Sequence, residues 1–134
     1  MPEAMHPADS PFRSLAVGFV GAAVVFLTLD AAWLTAMAER LYRPSIGHLM
    51  REGFDVVAAA AFYVLYLAGV VFFAVLPSRQ VRHALLRGAF FGLVAYATYD
   101  LTNQATLRDW PWHVTFIDLV WGSFVTASAA AGGR

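Results

Sequence analysis

The sequence contains no cysteine and no lysine. Without cysteine there are no disulfides, no thiolate catalysis and no Cys-ligated metal or iron–sulfur centre. All nine basic residues are arginine, a bias that genome base composition can produce and that points to no mechanism. Charge of either sign is scarce. Charged residues make up 13% of the 134 residues and cancel to a formal net charge of +0, where a soluble domain carries about a quarter. Sparse, balanced charge offers no field for a nucleic-acid backbone. There is also no glycine-rich phosphate loop, no paired HxxxH and no dinucleotide fingerprint, so no residue pattern names a cofactor.

What is present is apolar. Hydrophobic residues form 60% of the chain, and the mean hydropathy is +0.61. A length of 134 residues suits a single domain, and one small core cannot bury that much apolar surface. The surplus must face lipid.

Along the chain, Met1 to Ser10 reads as a polar tail, with Ser10 and Pro11 suited to cap and begin a helix. Between Ser14 and Ala38 the only charge is Asp30, and a run of about 25 residues spans a bilayer with some tilt. Ala36-Met37-Ala38 resembles a signal cleavage site, but the run is too long for a signal peptide and holds an acid. Residues 39–55 form a charged connector in which Ile46, Leu49, Met50 and Phe54 fall at helical spacing, the pattern of a short interfacial helix. Asp55 then opens an apolar run that Pro77 ends, and an acid in a first turn suits the helix dipole. A third span covers about 84–103, Asn103 to Trp110 forms a polar turn, and Pro111 begins a fourth span over about 112–131. The expectation is an all-α integral membrane protein. It comprises a single domain over 1–134, a four-helix bundle running up-down-up-down with spans near 14–38, 55–76, 84–103 and 112–131.

Arginine placement sets the orientation. Arg13, Arg79, Arg82, Arg87 and Arg134 share one side, against Arg40, Arg43, Arg51 and Arg108 on the other. The acid-free cluster between helices two and three places both termini in the cytoplasm.

The unusual residues are acids inside three of the spans. A carboxylate in a membrane span costs about 3 kcal/mol on insertion scales, so it faces protein, water or a partner. Asp30, Asp100 and Asp118 all fall in the half of the bilayer nearer the Arg40–Asp55 connector. Tyr96, Tyr99, Asp100 and Asn103 follow i, i+3, i+4, i+7 and form one stripe. Gly92 and Gly88 continue that stripe as a GxxxG pair, which lets another helix pack closely. Asp30 is followed one turn on by Trp33, and Asp118 by Trp121 and Gly122. Tyr63 and Tyr66 lie at comparable depth on helix two. Convergence of these stripes makes a ligand site of Asp30, Trp33, Tyr63, Tyr66, Tyr96, Tyr99, Asp100, Asn103, Asp118 and Trp121. Against it stands plain structure. Arg108 or Arg40 reaching inward, or Tyr and Asn donors, would satisfy the acids, and Trp33 and Trp121 would be interfacial anchors, as Trp110 and Trp112 are read.

Other constellations carry less. His113, Asp118 and Ser123 are the residue types of a hydrolase triad, but their spacing puts them on different faces of one helix. His113 with Asp100 and Asp118 is a thin metal signature, and no metal is assigned. His48 and His83 lie at opposite ends and complete nothing, and Asp109 beside Arg108 reads as a solvated pair.

The run Tyr96-Ala97-Thr98-Tyr99-Asp100-Leu101-Thr102-Asn103-Gln104-Ala105-Thr106-Leu107-Arg108-Asp109-Trp110-Pro111 resembles the signature of the bacterial predicted membrane proteins of the DUF2177 family. Leu29-Asp30-Ala31-Ala32-Trp33-Leu34, Phe62-Tyr63-Val64-Leu65-Tyr66 and Asp118-Leu119-Val120-Trp121-Gly122 also resemble its pattern. The resemblance implies a small bacterial four-helix protein of the inner membrane and carries over no catalytic role.

Three functions fit. Carboxylates in low dielectric exchange protons for cations, and an aromatic rim attracts organic cations. That makes binding or proton-coupled transport of a small ligand the first reading, with a homo-oligomer through the Gly88–Gly92 face supplying a path. The second is a membrane enzyme acting on a lipid or isoprenoid, with Asp100, Asp118 and His113 as acid, base or metal ligands. The third is an accessory subunit whose acids pair with arginines of a partner.

Overall fold

A computed structural model describes residues 11–134; the tail and its Ser10 cap lie outside the described residues. These residues form helices and turns, with no strand among them. α1 runs Pro11–Met37, about 40 Å at 1.5 Å per residue, longer than the hydrocarbon core of a bilayer. Met37 leaves the regular helix (φ −104°, ψ −14°) and the chain enters a wide, π-type turn over Ala38–Tyr42. A short α2, Arg43–Ile46, follows with Pro44 in its first turn, and a 3-10 turn, Gly47–Leu49, closes the segment. α3 spans Val56–Val70, and Asp55 is its N-cap, its carboxylate accepting from the Ala58 N–H at 3.0 Å. A second wide turn, Val71–Val75, extends α3 until Pro77, which has no N–H to continue the ladder. α4 runs Val81–Thr106 and α5 runs Trp112–Gly133.

The fold is organised around α5. Its buried positions Thr115, Asp118, Gly122, Val125 and Ala129 alternate steps of three and four, and Val114, Thr126, Ala130 and Gly133 bury a second edge. Two faces buried at helical period mean two neighbours: α1 packs antiparallel along one side, α4 along the other. Small residues set the spacing. A Cβ on Gly92 would meet the Gly122 carbonyl and sit 2.5 Å from Thr126 Oγ1, and one on Gly88 would lie 2.8 Å from both Ala130 Cβ and the Thr126 carbonyl. The Gly88–Gly92 face is therefore filled by α5 of the same chain. It does support close helix packing, but it is not free for a second copy, which corrects the expected oligomer contact. α3 leans on this pair through its second half, where Tyr66, Leu67, Val70 and Ala74 join Ala22, Phe26 and Val125 in the main core.

The outer surface is apolar. Val57 is 80% exposed, Leu65 74%, Val120 73% and Phe90 68%. Such a belt aggregates in water and is at rest only in lipid. Three segments are long and apolar enough to cross a membrane: Arg13–Leu49, Val56–Val75 and Trp112–Gly133. α4 has the length, with 26 residues, but its polar ends dilute it: Arg82, His83 and Arg87 at one, Asp100, Asn103 and Gln104 at the other. The expected four spans are thus matched by four long helices, of which three are apolar enough.

The connector differs from the expected interfacial stripe. Leu41 and Ile46 turn inward onto Trp110 and Val114 as a second small core, while Leu49, Met50 and Phe54 are exposed. The segment is a cap on the end of α5. Among its ties to α5 and the α4–α5 turn are Ser45 Oγ with His113 Nε2 at 2.8 Å and His48 Nε2 with Asp109 Oδ2 at 3.3 Å.

Candidate functional site

The antiparallel packing of α1 and α4 on α5 brings the three helical acids Asp30, Asp100 and Asp118 toward its first half. All are buried: Asp100 is 0% exposed, Asp118 5% and Asp30 9%. Their partners differ.

Asp118 is held by the connector. Tyr42 donates its hydroxyl to Asp118 Oδ1 at 2.5 Å, and the same hydroxyl accepts the Trp33 indole N–H at 2.9 Å. Tyr42 ends the wide turn after α1, and such turns recur at functional sites because they re-aim a side chain. Asp30 accepts from the Tyr63 hydroxyl at 3.2 Å. The Trp121 indole N–H lies near the same carboxyl without closing a well-formed bond, and it is buried with no other partner. The two indoles stack, centroids 4.4 Å apart and planes at 9°, between the two acids they serve.

Asp100 is the exception. Neither of its oxygens receives a hydrogen bond, although both are buried, and the group its carboxyl faces is that of Asp118. A buried carboxyl without a donor costs more than almost any other side-chain placement. The ion pairs of the described residues run elsewhere: Arg43 with Glu39, Arg51 with Asp55, His48 with Asp109. Arg40 and Arg108 make none with these acids. Among the described residues no three His, Asp or Glu come close enough to hold a metal; His113 pairs with Ser45, away from the carboxylates.

Of the sequence-derived set, Asp100 and Asp118 face each other, and Asp30, with Tyr63 and Trp121, joins them through the Trp33–Trp121 stack. Tyr96 borders this group, wedged against Gly122, where a Cβ would lie 2.8 Å from the Tyr96 Cβ. The other three fall outside. Tyr66 lies deeper, bonded to Thr126 Oγ1 and set beside Phe26 at 4.8 Å. Tyr99 is 56% exposed and meets Trp110 edge-on at 5.6 Å, with the half-buried Asn103 beside its hydroxyl. The Tyr96–Asn103 stripe is therefore split between α5 and the outer surface.

Some participants were not read from the sequence. Tyr42 sat in a segment taken for a surface connector, and only a wide turn brings it back to Asp118. Trp110 was read as an anchor, yet it is 6% exposed. Its N–H donates to Thr115 Oγ1 at 3.0 Å, Thr115 donates to Gln104 Oε1 at 2.8 Å, and Gln104 Nε2 donates to the Trp110 carbonyl at 2.6 Å. That closed ring roofs the acid layer. Trp112, 57% exposed, keeps the anchor's position.

A helical chain with an exposed apolar belt and several helices long and apolar enough to cross a bilayer is a membrane protein. It belongs to the family described as predicted membrane protein (DUF2177), whose model matches residues 15–134. No curated protein and no solved structure matches the chain.

Proposed function

We propose that this membrane protein binds a small cation at the Asp100–Asp118 pair and exchanges it for protons, as a proton-coupled carrier or sensor. The observation that carries the reading is Asp100, fully buried with two unbonded oxygens opposite a second carboxyl. Buried acids left without a donor are retained where a site needs them. A cation, or the proton that replaces it, supplies the missing charge. The Trp and Tyr rings around the layer favour an organic ammonium, through attraction to ring faces. Four helices are few for a translocation path, so transport calls for an assembly through a face other than Gly88–Gly92.

In this reading α4 also crosses the membrane, making four spans, the chain is one domain, and both termini lie in the cytoplasm of a bacterial inner membrane. The absence of native cysteine makes the topology simple to test. Single cysteines at Arg79 and Arg108 label from opposite sides of inverted and right-side-out vesicles. Labelling of both from one side would sink the fourth span.

The functional test is a proteoliposome with a pH-sensitive dye inside and small quaternary ammonium ions, which have no membrane-permeant free base, added outside. The wild type releases protons on addition, and Asp100→Asn and Asp118→Asn do not. Unchanged release in both variants overturns the reading.

The second reading, a membrane enzyme acting on a lipid or isoprenoid, is favoured by one contact. Ser45 Oγ lies 2.8 Å from His113 Nε2, the pairing of a nucleophile with its base. Covalent labelling of Ser45 by a lipophilic fluorophosphonate, lost in His113→Ala, would support it.

A further inference from the structure

At the end of the molecule away from the acids, a groove of about 560 Å³ runs between α4 and the wide turn after α3. It is lined by Phe73, Leu86, Arg87, Phe90, Phe91 and Val94. Five of these are apolar, and the Phe73 and Phe91 rings stack at 5.7 Å with planes at 23° to form a flat wall. Arg87 is the one charge. It is exposed, and among the described residues no acid pairs with it. Its position is six residues inside the start of α4 at Val81, about 9 Å along the axis. A guanidinium at that depth in a span needs an anion or must snorkel.

We propose that this groove holds an acyl chain of an anionic phospholipid whose phosphate pairs with Arg87. The proposal rests on α4 lying in the membrane and is independent of the acid layer. Three features argue for this occupant. The walls are hydrocarbon, so a chain fits and a soluble ligand does not. The only charge at the mouth is positive, so the headgroup is anionic. From Arg87 to Val94 is about 10 Å of helix, running from headgroup level toward the bilayer centre as an acyl chain does. Arg79 and Arg82 on the same short turn region add to the attraction without lining the groove. Guanidinium matches phosphate with two parallel N–H donors, which lysine cannot offer.

The test uses the full chain purified in detergent and native mass spectrometry, titrating phosphatidylglycerol against phosphatidylcholine of identical chains. The wild type should retain the anionic lipid about fivefold more strongly, the contribution of one arginine near anionic lipid. Arg87→Gln should lose that preference, Arg87→Lys should keep part of it, and Arg82→Gln should keep it whole. Val94→Trp, which fills the deep end and leaves Arg87 in place, should weaken both lipids. Partial retention by Arg87→Lys separates headgroup pairing from misfolding. Equal retention of the two lipids by the wild type, or equal loss in Arg82→Gln and Arg87→Gln, overturns the proposal, the second outcome reducing the effect to general surface charge. Proton release from the acid layer is expected to be intact in Arg87→Gln, so failure of either proposal is read separately.

Discussion

Trp33 of α1 and Trp121 of α5 stack with centroids 4.4 Å apart, and each indole N–H is directed to the acid system of the other's helix. Trp33 reaches Asp118 through Tyr42, and Trp121 lies by Asp30. The crossing ties the two helices by a ring pair and a polar chain at one level. An aromatic pair contributes about 1 kcal/mol beyond its burial, and the polar chain adds to that. Trp33→Leu should therefore lower the unfolding temperature in detergent and alter the near-UV circular dichroism as much as Trp121→Leu does. Unequal spectra, with one variant silent, would count against a mutual stack.

Tyr42→Phe keeps the ring and removes one hydroxyl. It leaves the Trp33 N–H and Asp118 without their shared partner, at a cost of about 1–3 kcal/mol. A double-mutant cycle with Asp118→Asn should show coupling of at least about 0.5 kcal/mol. Additive losses would mean that the Tyr42–Asp118 contact contributes nothing.

Asp100→Asn should make the protein more stable and less functional. The amide removes an acid that has no donor, so stability should rise by about 1 kcal/mol or more, while ammonium-driven proton release disappears. Thermal unfolding and the proteoliposome assay on the same preparation decide it. A destabilised Asp100→Asn would mean that this carboxyl is bonded in the folded protein, through a proton shared with Asp118.

Gly92→Val should destabilise by about 3 kcal/mol or more, since its side chain meets the backbone of α5, which cannot yield as a side chain can. Gly47→Ala is the control: its Cβ meets only the Arg43 side chain, Cγ at 3.4 Å and Cβ at 3.9 Å. Light scattering should find the same oligomeric state in wild type and in any folded Gly92→Ala. A change of oligomeric state at unchanged stability would return this face to an intermolecular role.

Asp55→Ala should cost about 1 kcal/mol, and Asp55→Ser much less, because the serine hydroxyl replaces the lost acceptor for the Ala58 N–H. Thermal unfolding distinguishes the two.

Much of the helical layout was legible because its signals are local. Pro77 and Pro111 mark a helix end and a helix start, Asp55 marks a cap, and acids in apolar runs stand out by composition. The burial of Asp30, Asp100 and Asp118 follows from the cost of an acid in an apolar helix. Rotation about each helix axis was less readable. Tyr96 and Tyr99 share a stripe in sequence, but the close approach of α5 at Gly92 and Gly122 draws Tyr96 inward and leaves Tyr99 outside. Trp110, whose position predicts an anchor, and Tyr42, for which the sequence carries no expectation, are hidden for a related reason. Both occupy segments whose direction is set by tertiary contacts, so neither periodicity nor hydropathy carries their position.

The wide turn at Ala38–Tyr42 makes the Tyr42–Asp118 bond a matter of phase. A helix advances by about 100° per residue, and the turn absorbs one residue more than a regular helix would. Tightening the turn to an ordinary helix at unchanged length would swing Tyr42 by roughly that angle, off the acid layer, whereas loss of one residue together with the bulge would leave its phase nearly unchanged. The extra residue and the wide turn are therefore kept or lost together: a chain that drops both still presents Tyr42 to Asp118, and one that narrows the turn alone does not.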